Sequence, residues 1–308
     1  MPLGIKPIVD FAFKKIFGSP ENAEALMGLL NAILDLDEPI VGVEVLNPFS
    51  YQEFADAKLV VLDVRARDST GRSLNIEMQL STHPSLLERL TYYACGMFVD
   101  QLESGSPFTT LRPALTICLL NCVLFSGTSQ AHHRFQLMDR ASGREISRGI
   151  EVHTVELTKY NLHESTIRTA TSIDQWAFFL LYADQYETPR LRELLPSVAF
   201  QQAISVIETI AQKTGDRIMY DQRTKAQMDY DWAIEGARLQ GMEQGREEGR
   251  EEGREEGREE GAMAGKIQLL QQLLGEPQSS MAELTQRSAD DLAKLQNELQ
   301  NRLRQRDA

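Results

Sequence analysis

The sequence predicts an α/β protein with a mixed central sheet, helices on its faces and a helical C-terminal tail. Three observations lead there. Apolar residues recur at helical spacing before residue 35 and again at 84–103. At 40–80, 115–125 and 149–157 the pattern changes to β-branched or alternating runs. From residue 241 the composition turns abruptly charged and repetitive.

The elements follow in order. In DFAFKKIFGSPENAEALMGLLNAIL, Phe13, Ile16 and Phe17 share one helical face, Gly18-Ser19-Pro20 breaks the pattern, and Leu26, Leu29, Leu30 and Ile33 resume it. IVGVEVL (40–46), KLVVLDVRAR (58–67) and LNIEMQL (74–80) read as strands, and the turn cluster DSTGR joins the last two into a hairpin. Residues 84–103 read as a helix through Leu86, Leu87, Leu90, Tyr93, Ala94 and Met97. LTICLLNCVLF (115–125) reads as a buried strand carrying Cys118 and Cys122, and a polar stretch with His132 and His133 separates it from the strand GIEVHTVEL (149–157). Helical patterns follow around IDQWAFFLLYA and PSVAFQQAISVIETIAQ. The expected divisions are a core at 1–165, a helical extension at 166–235, a charged repeat at 236–265 and amphipathic helices at 266–308.

The tail holds GMEQ, four copies of GREE and GAMAGK. A four-residue period overshoots the helical repeat, so a glycine stripe drifts by about 40° per repeat around a helix. Each glycine costs about 1 kcal/mol against alanine, and pairs such as Glu247 with Arg250 return only a little. KIQLLQQLL (266–274) and DDLAKLQNELQNRLR (290–304) are better amphipathic helices and point to a homo-oligomer assembled through this region.

Composition narrows the function. The formal charge of −13 argues against a protein that coats nucleic acid through many Lys and Arg contacts, though it leaves room for a local basic cleft. The three cysteines have no CxxC spacing and no paired histidines, so neither a disulfide framework nor a zinc site is indicated. Apolar runs fall short of the roughly 20 residues of a membrane span, and the N-terminus has no signal-peptide core, so the expected address is cytoplasmic, with no membrane partner. GAMAGK is one spacer residue short of a P-loop and is followed by Ile267, so no nucleotide cofactor is expected.

Chemistry gathers on the hairpin. Asp63 lies in its first strand, and fourteen residues on, Glu77 and Gln79 lie in the second; period-two alternation puts Glu77 and Gln79 on one face with Met78 opposite. Converging carboxylates are costly unless a cation sits between them, and an oxygen-preferring divalent ion, Mg²⁺ or Mn²⁺, answers that need. Asp63, Glu77 and the Met78 backbone carbonyl are the expected ligands. Gln79 would hold the attacking water or steady developing charge, a role lysine would fill more strongly. Acidic residues on solvent faces of hairpins are also common without any such role.

KPIVDFAFKKIFG (6–18), LNAIL (30–34), LDVRARDSTG (62–71), NIEMQ (75–79), ERLTYYA (88–94), VEL (155–157) and the GREE-type repeat together resemble the PD-(D/E)XK family transposases, or recombination-promoting nucleases. The resemblance implies a restriction-endonuclease-like core, Mg²⁺-dependent cutting of double-stranded DNA, and an origin among bacterial mobile-element or recombination proteins that act at the nucleoid. It carries the catalytic motif to Asp63, Glu77 and Gln79, with Gln where the wider superfamily has Lys. It makes Asp10 a further metal-ligand candidate, a residue that also reads as the N-cap of FAFKKIF. Lys14, Lys15, Lys58 and Arg89 flank the same motifs and are the expected phosphate contacts. Two other readings stay open: a catalytically silent DNA-binding or assembly protein that retains the fold, and a strand-joining transposase, which the hydrolytic ExQ hairpin disfavours.

Overall fold

A computed structural model describes residues 2–50, 63–146, 149–160 and 162–306, with Asp63 and Arg306 described by their backbone only. The chain forms two compact units, Met1–Met228 and Asp229–Ala308.

The first unit opens with α1 (Asp10–Phe17) and α2 (Ala23–Leu34), separated where Gly18 closes α1 by donating its N–H to the Lys14 carbonyl at 2.7 Å. Phe13, Ile16 and Phe17, the apolar face expected of α1, are fully buried. Asp35 ends α2 in the left-handed region, at φ +44.

Six strands form one mixed sheet in the order β1-β2-β3-β4-β6-β5: β1 (Val43–Val45), β2 (Asp63–Asp68), β3 (Ser73–Gln79), β4 (Ala114–Leu120), β5 (His132–Gln136) and β6 (Ile150–Glu156). β3, β4 and β6 are parallel, and β1, β2 and β5 pair antiparallel toward the two edges. The β2–β3 turn is DSTGR, as expected. Gly71 takes φ +90 there, and Asp68 closes the loop by accepting from the Thr70 and Arg72 backbone N–H groups at 2.9 Å each. The parallel β3 to β4 crossover carries α3 (Leu86–Val99), which packs over β4, β6 and β3. All seven residues of β4 are buried, the mark of a central parallel strand covered on both faces.

The two faces differ. Leu74, Ile76 and Met78 of β3, with Leu115, Ile117 and Leu119 of β4, join α1 and α2 in the main core. Cys118, Leu120 and Val152 meet Leu86, Leu90 and Ala94 of α3 on the opposite face. After β6 come α4 (Glu164–Ile167), α5 (Ser172–Tyr182), α6 (Thr188–Leu194) and α7 (Val198–Gln212). A Thr171/Asp174 capping box starts α5. These helices share the main core: Trp176 lies 5.6 Å from Phe17 and 4.2 Å from Phe200, centroid to centroid. α2 and α7 approach so closely that a Cβ on Gly28 would stand 2.4 Å from Ala199 Cβ.

Three expectations change. His132 and His133 lie in a strand, β5, rather than in a loop between strands. HHRFQ carries no apolar alternation because one face of this edge strand meets a polar cluster. The 115–125 run leaves the sheet at Leu120, and Cys122 beyond it is only half-buried. The 40–46 run contributes only three residues, Val43–Val45, to the sheet. Lys58 to Leu62 of the expected strand lie outside the described residues.

The long helix α8 (Thr214–Leu274) begins in the first unit and continues into the second, where the GREE repeats are solvent-exposed along it. With α9 (Met281–Leu284) and α10 (Ala289–Arg306) its end forms a small core of Ala264, Ile267, Leu284, Leu292 and Leu299. No helix among the described residues is long and apolar enough to cross a membrane.

Candidate active site

The hairpin register sets Asp63 directly opposite Glu77, followed by Val64 opposite Ile76 and Arg65 opposite Asn75. Directly opposed residues of antiparallel strands share a face of the sheet. Alternation along β3 then gives Asn75, Glu77 and Gln79 to that face, the one α3 covers, while Leu74, Ile76 and Met78 go to the main core. The sheet thus brings Asp63, Glu77 and Gln79 to neighbouring positions.

Glu77 is 1% exposed, so its carboxylate needs partners. It accepts from Asn75 Nδ2 at 3.0 Å and Gln79 Nε2 at 3.3 Å, and Arg89 Nη2, reaching down from α3, stands 3.5 Å from Oε2. Across β4, in register with Glu77, burial and then the Glu77 carboxylate push the Cys118 thiol well above its usual range, which keeps it protonated and inert. Asn75 and Arg89 are the partners that sequence reasoning left out of this cluster or gave a different role. Asn75 was legible from alternation alone, two residues before Glu77. The Arg89 contact depends on how α3 crosses the sheet.

The donor set suits a hard cation. The Gln79 carbonyl accepts from Asn121 N at 2.9 Å on the β4 side, so the Met78 carbonyl, alternating with it, points toward β2 and Asp63. Among the described residues Asn75 Oδ1 is buried with no hydrogen-bond partner, a spare oxygen beside the Glu77 carboxylate. Among the described residues no three His, Cys, Asp or Glu side chains converge in metal-binding geometry.

Asp10 and Lys15 have partners on the start of α8. Asp10 is not the N-cap of α1, a place held by Val9. It is the first helical residue, accepting from Phe11 N at 2.7 Å and bound by Arg223 through Nε at 2.7 Å and Nη2 at 2.5 Å. Lys15 Nζ bonds the fully buried Asp216 at 2.5 Å, and Lys14 is itself 3% exposed. Two buried ion pairs therefore tie α1 to the start of α8. Lys58 lies outside the described residues. On β2, Arg65 and Arg67 are exposed and in register with Asn75 and Ser73, so they continue the Asp63 row along the same face.

A second polar cluster occupies the other face, between β5 and β6. His132 Nε2 and His153 Nδ1 are 2.9 Å apart, and His153 Nε2 meets Glu151 Oε2 at 3.3 Å. Arg134 holds Glu151 through two bonds of 2.9 Å, and Gln136 adds a third at 3.0 Å. Burial alone would raise the Glu151 carboxyl, but bonds from His153, Arg134 and Gln136 outweigh it and bring it down to about 2. Burial, reinforced by His153, His133 and Arg134, pulls His132 down to about 4. His132, Arg134 and His153 line an open cleft of about 550 Å³ against Asn31 of α2, Asp35 just after it and Ser172 of α5.

Residues 7–237 match the model of the PD-(D/E)XK nuclease family transposases, across three quarters of the chain. No curated protein and no solved structure matches the chain. The mixed sheet, the hairpin that opposes Asp63 to Glu77, and this match agree, and the chain belongs to the PD-(D/E)XK nuclease family transposases.

Proposed function

We propose that the protein is a Mg²⁺-dependent endonuclease that hydrolyses phosphodiester bonds of double-stranded DNA, in the service of recombination or a mobile element, in the bacterial cytoplasm and at the nucleoid. The observation that carries this reading is the register that opposes Asp63 to a buried Glu77, whose carboxylate is met by donors from Asn75, Gln79 and Arg89, in a chain of a nuclease family. Asp63, Glu77 and the Met78 carbonyl would hold the ion, with Mn²⁺ able to substitute and Asn75 Oδ1 nearby as a further oxygen. The ion supplies Lewis-acid polarisation of the phosphodiester and a lowered pKa for bound water.

The chain's own residues do the rest. Gln79 orients the attacking water through its amide. Arg65 and Arg67 follow Asp63 at two-residue steps of about 6.8 Å on β2, a spacing comparable to that of neighbouring phosphates on one strand, and would hold the backbone beside the cut. Arg89 adds a cation over Glu77. Asp10 and Lys15 serve the α1–α8 junction, through Arg223 and Asp216.

Purified protein is expected to nick or linearise plasmid DNA with Mg²⁺, and Asp63→Ala to abolish this while the fold persists. Cutting retained by that variant sinks the assignment. A second reading, a catalytically silent DNA-binding protein, is favoured by the neutral Gln79; a gel shift with no Mg²⁺-dependent cleavage selects it. Self-association through the tail is proposed from the exposed Leu239 and Met242 of α8. Deleting residues 236–308 should lower the oligomeric mass in light scattering without unfolding the first unit. An unchanged mass refutes that assembly.

A further inference from the structure

A phosphodiester under attack gathers negative charge on its non-bridging and leaving oxygens, and a residue with a full positive charge meets that charge more strongly than a neutral donor. The residue at position 79 is a neutral amide already turned on Glu77 at 3.3 Å. Arg65 and Arg67 carry charge, but they lie two and four residues along β2 from Asp63, where the nuclease reading would seat neighbouring phosphates. Lys15 is committed to Asp216 and Lys14 is buried.

Arg89 is differently placed. Its guanidinium reaches the Glu77 carboxylate from α3, with Nη2 3.5 Å from Oε2, and its side chain stays 36% exposed. A guanidinium offers five N–H donors in a fixed fork. Here Nε is buried without an acceptor among the described residues, so the contact with Glu77 leaves donor capacity unspent. A buried donor without a partner is a standing cost in the free protein, and a turn of the part-exposed guanidinium toward an arriving phosphate oxygen would remove it.

We propose that Arg89 is a catalytic residue, which turns its unspent N–H donors on the scissile phosphate and supplies the positive charge that Gln79 lacks. The inference rests on the nuclease reading above. In the step itself, the water oxygen bonds to phosphorus, the bond from phosphorus to the leaving oxygen breaks, the water's proton passes to solvent, and the leaving oxygen takes a proton from solvent. Arg89 stays protonated throughout and stabilises charge without transferring a proton.

The test uses the full chain and four proteins: wild type, Arg89→Gln, Arg89→Lys, and Arg89→Gln combined with Gln79→Lys. Single-turnover cleavage of a DNA duplex in Mg²⁺ gives the rate, fluorescence anisotropy of the same duplex in Ca²⁺ gives affinity, and thermal melting reports folding. Arg89→Gln should lose about 100-fold or more in rate, the scale of removing one transition-state donor, while affinity moves by less than about fivefold. Gln79→Lys in that background should recover at least about tenfold, because it returns a cation to the same row of the sheet. Arg89→Lys, which keeps the charge whether or not the Gln variant folds, should stay within about tenfold of wild type. A Lys variant as inactive as the Gln variant, a double variant with no recovery, or a rate loss matched by an equal affinity loss overturns the proposal. A wild type that binds but never cleaves overturns the nuclease reading and this inference with it, whereas a cleaving wild type with an unrescued double variant overturns the inference alone.

Discussion

Acid should loosen the β5 edge of the first unit through His132, and the amount follows from its surroundings. His132 faces His153 at 2.9 Å, with His133 and Arg134 beside it and Glu151 beyond His153. Burial and these neighbours lower its pKa from 6.5 to about 4 in the folded protein. Between those values the folded state holds fewer protons than the unfolded chain, so stability rises with pH across that interval. The contribution is complete above about pH 6.5 and is lost as pH falls toward 4. The whole interval would correspond to about 3 kcal/mol. His132 is partly solvent-exposed, which screens the effect, and about 1–2 kcal/mol is the expected size. For a unit of this length that is a fall of about 2–8 °C in Tm.

His132→Gln keeps an N–H donor for His153 and removes the titration. Other acids contribute slopes of their own, so the quantity to follow is the difference in Tm between wild type and variant from pH 8 to pH 4.5. The buried Trp176 reports the core by its fluorescence, in a Trp232→Phe background that silences the exposed tryptophan. The difference should shrink as pH falls. Parallel curves for the two proteins would refute the assignment of this cluster as an acid-sensitive element.

Three further outcomes follow. Arg65→Gln and Arg67→Gln should each weaken duplex binding and reduce the slope of log affinity against log salt by about 0.9, measured by anisotropy at several salt concentrations; an unchanged slope removes that residue from the phosphate track. Gly28→Ala should destabilise by about 1–3 kcal/mol in urea unfolding, because its methyl group would stand 2.4 Å from Ala199 Cβ, and an unchanged midpoint would mean that α2 and α7 separate freely. Asp10→Ala should cost about 1.5–3 kcal/mol by removing the carboxylate that Arg223 binds, and a loss below about 0.5 kcal/mol would show that the pair is not structural.

The sequence carried the sheet where its strands are local or doubly buried. Gly71 and the DSTGR cluster mark the hairpin, and a hairpin fixes which residues face each other, so the opposition of Asp63 and Glu77 was legible. β4 was legible as an apolar run, but apolar residues continue through Leu124 after the strand ends, because the loop there is anchored by Glu156, which accepts from Leu124 N at 2.8 Å. β5 was missed for the opposite reason. Its His132, Arg134 and Gln136 turn to a polar network rather than an apolar core, so the alternation that identifies strands is absent.

Long-range partners were the least accessible part. Asp10 and Arg223 are 213 residues apart, and Lys15 and Asp216 are 201 apart. Nothing local distinguishes Lys15, tied into the fold, from a lysine free to meet a phosphate. Arg89 stands twelve residues after Glu77, and only the packing of α3 over β3 and β4 brings them to 3.5 Å. Conversely, the exposed Arg65 and Arg67 follow from the same alternation that identified Asp63, once the register is known.

The most direct test of the account is cleavage of supercoiled plasmid by the purified full chain with Mg²⁺, beside Asp63→Ala and a no-metal control. The account predicts nicked and linear DNA for wild type with Mg²⁺, none without metal, and none for a folded Asp63→Ala. Equal cutting by wild type and Asp63→Ala, or none by a well-folded wild type that still binds DNA, would contradict it.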